Sequence, residues 1–258
     1  MSEAQRRAAV LGASEEGGTG WCIAETLAAQ GCHVTVGARR IEGLTKLAAQ
    51  ISGTPARCDA TVENEVEAFV ATAAGEGQLD CAVLVAGAGI RGTIDTMRPE
   101  DFEHCMKLNF HSAVHFLRHT ARRMKEDGAI VLMSSIAATN PWKGYFAYGA
   151  AKAALQTLVK YAAIEFADRR IRVNAVCPGP ISTPAARYLV DHPRAGAVVA
   201  HEVPLGRVAG PQDVADAVAW LCTAPGWITG ETIHTDGGMS LRRPPDIDAI
   251  AAAFAAQD

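Results

Sequence analysis

Ala8-Ala9-Val10-Leu11-Gly12-Ala13-Ser14-Glu15-Glu16-Gly17-Gly18-Thr19-Gly20 decides how the rest of this 258-residue chain is read. A short apolar run, Ala8–Leu11, gives way to a Gly-rich turn, and from Thr19 to about Gln30 the spacing is helical. Strand, Gly-rich turn and helix in that order bring backbone amides and the positive end of a helix dipole to one point, which suits a pyrophosphate. Gly12, Ser14, Gly18, Thr19 and Gly20 are therefore candidate phosphate-binding residues. A Gly-rich turn that holds no ligand is the alternative reading.

Working outward, the same alternation recurs. His33–Gly37 precedes a helix over Ile41–Ile51, Ala56–Cys58 one over Glu63–Ala74, and Cys81–Val85 one that ends near Lys125. Ala129–Met133 leads into a helix over Tyr148–Ala167, Arg172–Val176 follows, and a helix over Pro211–Thr223 precedes a last strand, Thr232–Thr235. Runs as apolar as Ala82–Val85 and Ile130–Met133 fit strands covered on both faces, and crossover helices enforce parallel pairing. The pattern predicts an α/β fold: a Rossmann-type doubly wound parallel sheet of about seven strands, in a single domain over 1–258. The Pro- and Ala-rich stretch 182–205 reads as an irregular substrate lid, and 242–258 as a tail whose Ala-rich part forms a short helix.

Composition narrows the partners. With 49% apolar and 20% charged residues the chain is expected to be compact, and 24 Lys+Arg against 28 Asp+Glu leave a net charge of −4, without the basic excess that nucleic acid attracts. No stretch approaches the roughly 20 apolar residues of a membrane-spanning helix, and Arg6 and Arg7 precede too short an apolar run for a secretion signal. No membrane and a cytoplasmic address are expected. Seven cysteines, odd in number and without a C-x-x-C pair, argue against a disulfide framework or a zinc site, so they read as small buried apolar residues and no metal is expected.

The residues closing the second strand, Gly37-Ala38-Arg39-Arg40, offer no acid for a ribose hydroxyl but two guanidinium groups for a 2′-phosphate. NADP(H) is favoured and NAD(H) stays open, because Glu15 and Glu16 would repel a phosphate if they point inward. Tyr148 and Lys152 are four residues apart and share one helix face. A phenol of pKa about 10 is a poor acid or base at neutral pH, and an adjacent ammonium is expected to lower it. Ser135 follows the apolar strand at the edge where open α/β sheets bind ligands. Ser135, Tyr148 and Lys152 together read as a proton-transfer site.

In this order the motifs make the chain resemble the short-chain dehydrogenase/reductase family from about Ala8 to Ser240. Cys58-Asp59-Ala60 is similar to the family's adenine-contacting acid, and Leu108-Asn109-Phe110 to its helix-kinking catalytic Asn. Val173-Asn174-Ala175-Val176-Cys177-Pro178-Gly179 is similar to its nicotinamide-side loop, continued here by Ile181 and Thr183, and Ile228–Gly230 with Asp236–Gly238 to its final strand. The resemblance implies hydride exchange with a nicotinamide and alcohol–carbonyl interconversion. In it Tyr148 exchanges the proton with the substrate oxygen, Lys152 holds the nicotinamide ribose, Ser135 hydrogen-bonds the substrate oxygen and Asn109 positions a water. A homotetramer or homodimer is implied as well. Three features depart from the family pattern. The turn is longer by two residues, with Leu11 in place of Thr; Ala86-Gly87-Ala88-Gly89 stands where the family has Asn-Asn-Ala-Gly, so Ala86 and Gly87 must offer backbone; and Tyr145, seven before Lys152, has the enoyl-reductase spacing. C=C reduction and a non-catalytic dinucleotide-binding role are the alternatives.

Trp142, Tyr145 and Phe146, with the aliphatic stretch Ala185–Ala200, suggest a pocket for a small apolar, cyclic alcohol or ketone; the alternative is that the aromatics only pack on the lid. Arg187 and Arg194 leave room for a phosphorylated or carrier-linked substrate. His104, His111, His115 and His119 are expected along one acid-free helix face, opposite Met106, Phe110, Ala113, Leu117 and Met124. That face reads as a solvent or subunit surface, where protonation near pH 6.5 (about the free imidazole value) loosens assembly.

Overall fold

β1 (Arg6–Leu11) pairs in parallel with β2 (Cys32–Ala38) on one side and β4 (Leu79–Leu84) on the other. β3 (Thr54–Arg57), β5 (Met124–Met133), β6 (Arg172–Pro178) and β7 (Thr232–Thr235) complete a seven-stranded, wholly parallel sheet of order β3-β2-β1-β4-β5-β6-β7. This computed structural model describes residues 5–224, 226–242 and 246–255. Part of the expected 242–258 tail therefore lies outside the described residues.

Alternate strand residues face opposite sides, and the two sides are filled separately. Ala8, Val10, Val34, Val36, Val83 and Val131 pack under α1 (Thr19–Ala29), α2 (Ile41–Ile51) and α9 (Pro211–Thr223). Leu11, Leu84, Ile130 and Leu132 pack under α3 (Glu63–Ala74), α5 (Ser112–Arg123) and α6 (Phe146–Glu165). Each fully buried aliphatic side chain contributes about 1.5–3 kcal/mol, so both faces of the sheet depend on the helix layers that cover them. α4 (Pro99–Met106) runs into α5 through a π-helical turn, Lys107–His111.

Two sequence expectations need correction. β5 begins at Met124, not Ala129, and a register shift between Leu79 and Cys81 absorbs the extra residues, because Met124 fills a wholly buried place beside Leu79. The 182–205 stretch is not irregular. It holds α7 (Arg187–Val190) and α8 (Pro193–His201), the latter started by Pro193 and by the His192 imidazole accepting the Ala195 N–H. Ala195 and Val199 of α8 and Ile250 of α10 (Ile247–Ala255) form a third apolar cluster with Ile136 and Cys177 at the C-terminal edge of the sheet. Six of the seven thiols are buried, and all seven are free. Among the described residues no helix is long and apolar enough to cross a membrane.

Strand order reverses between β1 and β4, so the loops leaving them diverge and open a crevice at the C-terminal edge. The candidate site lies there.

Candidate active site

A cavity of about 610 Å³ opens at this crevice. Gly12, Ser14, Gly18, Thr19 and Gly20 line it after β1, Arg39 and Arg40 after β2, Asp59 and Ala60 after β3, and Ala86 and Gly87 after β4. Tyr148 and Lys152 of α6 and Pro178, Ile181 and Thr183 after β6 close the other end. Gly179 does not line it, being packed on Asp236, whose Cβ would lie 3.2 Å from a Cβ at that position.

Backbone alone builds the cradle after β1. A Cβ on Gly20 would stand 2.2 Å from the Gly12 carbonyl oxygen, and one on Gly12 (φ +113°) 2.5 Å from Ala86 N. No side chain caps the α1 N-terminus at Gly18, and its first turn carries no acid. Its leading amides and positive dipole are left for an anion, which is what the pyrophosphate of a nicotinamide dinucleotide requires. The two extra turn residues fold into a tight loop in which the Gly18 N–H donates to Glu15 O at 2.9 Å. Glu16 swings out to pair with Lys46 at 2.5 Å, while Glu15 stays on the cavity wall.

At the reactive end, Gly149 lets α6 approach the sheet: a Cβ there would fall 2.6 Å from Ala137 O, in the 3-10 turn Ile136–Ala138 that follows Ser135. Ser135 accepts the Ala137 N–H at 3.2 Å and hydrogen-bonds the Tyr148 phenol. Lys152 is only 3% exposed; its Nζ donates to Met133 O at 2.8 Å and lies 5.6 Å from the centroid of the Tyr148 ring. The expectation of a phenol made acidic by this ammonium is thereby corrected. Burial pushes Tyr148 up to about 12, with the Ser135 hydrogen bond pulling against it, and the same burial draws Lys152 down to about 8. The ammonium sits over the ring rather than at the hydroxyl. Near neutrality the phenol keeps its proton and can give it to an oxygen that gains charge.

Asn109 is buried in the π-helical turn, behind the cavity wall. Its Nδ2 donates to Ala88 O at 2.9 Å and to Cys105 O at 3.0 Å, while its Oδ1 accepts the Ala88 N–H at 3.2 Å. One carboxamide thus satisfies both backbone polar groups of Ala88, just beyond β4. A Cβ on Gly87 would lie 2.9 Å from Asn109 Oδ1 and 3.1 Å from Lys152 Nζ, so the small residues here bring both groups against the strand exit.

Charge is divided at the far end of the cavity. Arg39 and Arg40 are exposed, and neither makes a hydrogen bond or ion pair among the described residues. Burial works to raise the Asp59 carboxyl, yet hydrogen bonds from Thr61 N–H at 2.9 Å and O–H at 2.8 Å, with the Arg39 charge, hold it below its ordinary value.

The three aromatics separate. Tyr145 meets Trp142 edge-on at 6.4 Å, carries Arg91 over its ring at 5.7 Å and is close enough to Tyr148 to act on its phenol. Phe146 stacks on Phe102 at 6.1 Å, and Trp142 packs on the lid cluster. The histidines do not share one acid-free face. His104 and His111 are exposed and His119 is buried, because each four-residue step from His111 to His119 carries the side chain about 40° further round the helix. Glu63 of α3 stands 3.2 Å from His119 Nε2 and 3.7 Å from His115 Nε2 and also pairs with Arg118. Among the described residues no three His, Cys, Asp or Glu side chains are grouped for a metal. Sequence reasoning passed over Met133, Ser134 and Leu108, which also line the cavity, whereas Ala185 lies there as the pocket-forming stretch Ala185–Ala200 led one to expect. Adjacency to Ser135 and Asn109 was the one signal for the first three.

Comparison with known proteins follows this geometry. A family model described as enoyl-(acyl carrier protein) reductase matches residues 12–240. The chain is 32% identical over 249 residues to glucose 1-dehydrogenase of Gluconobacter oxydans (strain 621H), covering 92% of this chain and 93% of that one. It is 35% identical over 240 residues to the 3-oxoacyl-[acyl-carrier-protein] reductase FabG of Escherichia coli (strain K12), covering 91% and 97%. The structure of a short-chain type dehydrogenase/reductase from Mycobacterium ulcerans superposes with a TM-score of 0.91 at 30% identity, over 97% and 95% of the two chains. Sheet order, Gly-rich cradle and these likenesses agree, and the chain belongs to the short-chain dehydrogenase/reductase family of NAD(P)-dependent oxidoreductases.

Proposed function

We propose that this protein interconverts a secondary alcohol and a ketone with NADP(H), Tyr148 serving as proton donor and acceptor. The observation that carries the reading is the pairing of Tyr148 with Lys152 on the wall of the cavity that begins at Gly12, with Ser135 close enough to act on the Tyr148 phenol. Bound there, the nicotinamide supplies or accepts the hydride. Gly12, Ser14, Gly18, Thr19 and Gly20 hold the pyrophosphate, Arg39 and Arg40 the 2′-phosphate, and Asp59 and Ala60 the adenine side. Ala86 and Gly87 offer backbone to the central part, Lys152 and Tyr148 the ribose contacts, and Pro178, Ile181 and Thr183 the nicotinamide side. Glu15 on the same wall supports NAD(H) as the second cofactor.

In the reducing direction Ser135 and Tyr148 donate hydrogen bonds to the ketone oxygen. As that oxygen gains negative charge, the Tyr148 O–H bond breaks and the proton moves to it, leaving a phenolate beside the Lys152 ammonium. Asn109, acting through the Ala88 peptide, keeps the β4 exit in register with Lys152. Oxidation runs the same path backwards. Tyr145 and the apolar lid cluster support a small apolar, cyclic substrate. Tyr161 and Ile164, largely exposed on α6, support assembly as a homotetramer or homodimer, and the free thiols a cytoplasmic setting. Enoyl reduction is the second reading, supported by the closeness of Tyr145 to Tyr148; against it, Ser135 bonds Tyr148 and not Tyr145.

Separate titration of NADPH and NADH by nucleotide fluorescence, then a panel of cyclic and aromatic ketones with the tighter one, tests the reading. Tighter NADPH binding with turnover of a cyclic ketone is expected. Nucleotide binding without turnover of any ketone overturns it.

A further inference from the structure

Tyr148, Lys152 and Gln156 follow one another at four-residue intervals on α6, so their side chains form one stripe along the helix. The stripe meets three consecutive residues where β5 ends. Lys152 Nζ donates to Met133 O at 2.8 Å, Gln156 Nε2 donates to Ser134 Oγ at 3.0 Å, and Ser135 bonds the Tyr148 phenol. Ser134 is almost wholly buried; its N–H donates to Val176 O of β6 at 2.8 Å, and its hydroxyl also reaches the thiol of Cys177. Gln156 Nε2 lies 3.8 Å from that same sulfur. The Gln156 amide therefore ties together α6 and the exits of β5 and β6, behind the reactive pair and off the cavity wall.

We infer that Gln156 is a positioning residue: by holding Ser134 it fixes the backbone from which Ser135 reaches the Tyr148 hydroxyl. The inference rests on the proposed role of Tyr148. Lys152 restrains only the Met133 carbonyl, one peptide further back, and Ser135 itself is otherwise held within its own turn, its side chain accepting the Ala137 N–H and its carbonyl the Ala138 N–H. Without the amide, the Ser134 hydroxyl keeps a weak sulfur partner and the strand exit can rotate. The Ser135 oxygen then leaves the phenol, and the donor loses its alignment to the substrate oxygen.

The test replaces Gln156→Met, which keeps the length and loses the hydrogen bond, and Gln156→Glu, which restores an oxygen that accepts the Ser134 O–H. The protein is labelled with 13Cζ-tyrosine; its four tyrosines give few resonances, and Tyr148→Phe assigns the one that matters. In Gln156→Met the Tyr148 resonance is expected to shift or broaden while the other tyrosines stay, and Gln156→Glu is expected to return it towards the wild-type position. On a ketone turned over by the wild type, kcat is expected to fall about tenfold, with KM and the NADPH Kd within about twofold. An unchanged Tyr148 resonance in Gln156→Met overturns the inference, whatever the activity does. If Gln156→Met does not fold, Ser134→Ala breaks the same link from the strand side and is read by the same resonance. Should the wild type reduce no ketone, the proposed function fails, and the resonance still decides on Gln156.

Discussion

Lys152 and Tyr148 are both moved by burial away from their solution behaviour, one downward to about 8 and the other upward to about 12. The lysine value sets a direction for stability. Its folded pKa lies below the unfolded one, so between about pH 8 and 10.5 the unfolded chain holds a proton the folded chain has released, and this group's contribution to stability rises with pH. At pH 7 the buried charge costs about 3 kcal/mol. Lys152→Met is therefore expected to gain most over wild type at pH 7, with the gap closing as pH approaches 10, read by calorimetric melting across that range; a gap independent of pH contradicts it. That Tyr148 and Lys152 share one helix face was legible because helix spacing is local. The direction of the phenol was not, since it depends on burial and on the ammonium lying over the ring, neither of which a four-residue spacing reveals.

At the scale of elements, the contact of α6 with the turn after Ser135 depends on Gly149. Gly149→Ala drives a methyl against the Ala137 carbonyl, an overpacking expected to cost about 1–3 kcal/mol and to lower Tm by several degrees, with a matching loss of kcat because Ser135 moves with the turn. Thermal melting and kinetics on one preparation check it; a variant as stable and active as wild type removes the close approach from the account. Strongly periodic helices such as α1, α2, α3 and α9 were legible to within a residue or two. Two kinds of element were not. The π-helical turn at Lys107–His111 breaks the α-helical phase between His104 and His111, and no local residue type announces that. α7 and α8 are short, and their Pro and Ala content reads as loop until Ala195 and Val199 find the cluster around Ile136.

For the whole molecule, alternation of apolar strands and helices was enough for the parallel sheet and for the crevice between β1 and β4, because crossover connections leave few topologies. Assembly is less visible in one chain. Tyr161 and Ile164 stand 63% and 76% exposed on α6, beside α5, and a face of this kind is expected to be covered by a second copy. Light scattering should give a multiple of 27.1 kDa, and Tyr161→Glu with Ile164→Glu should reduce it. The mass should be the same at pH 5.5 and pH 8, because Glu63 places a carboxylate against His115 and His119. A mass that falls at pH 5.5 would restore the repulsion that the histidine spacing first suggested.

The account stands on Tyr148 as the proton donor. Its most direct test is the single-turnover rate of ketone reduction by NADPH-loaded Tyr148→Phe, measured beside Tyr145→Phe and wild type. A loss of at least about a hundredfold in Tyr148→Phe, with Tyr145→Phe near wild type, is the predicted result. A Tyr148→Phe enzyme that keeps its rate while Tyr145→Phe is inactive would contradict it.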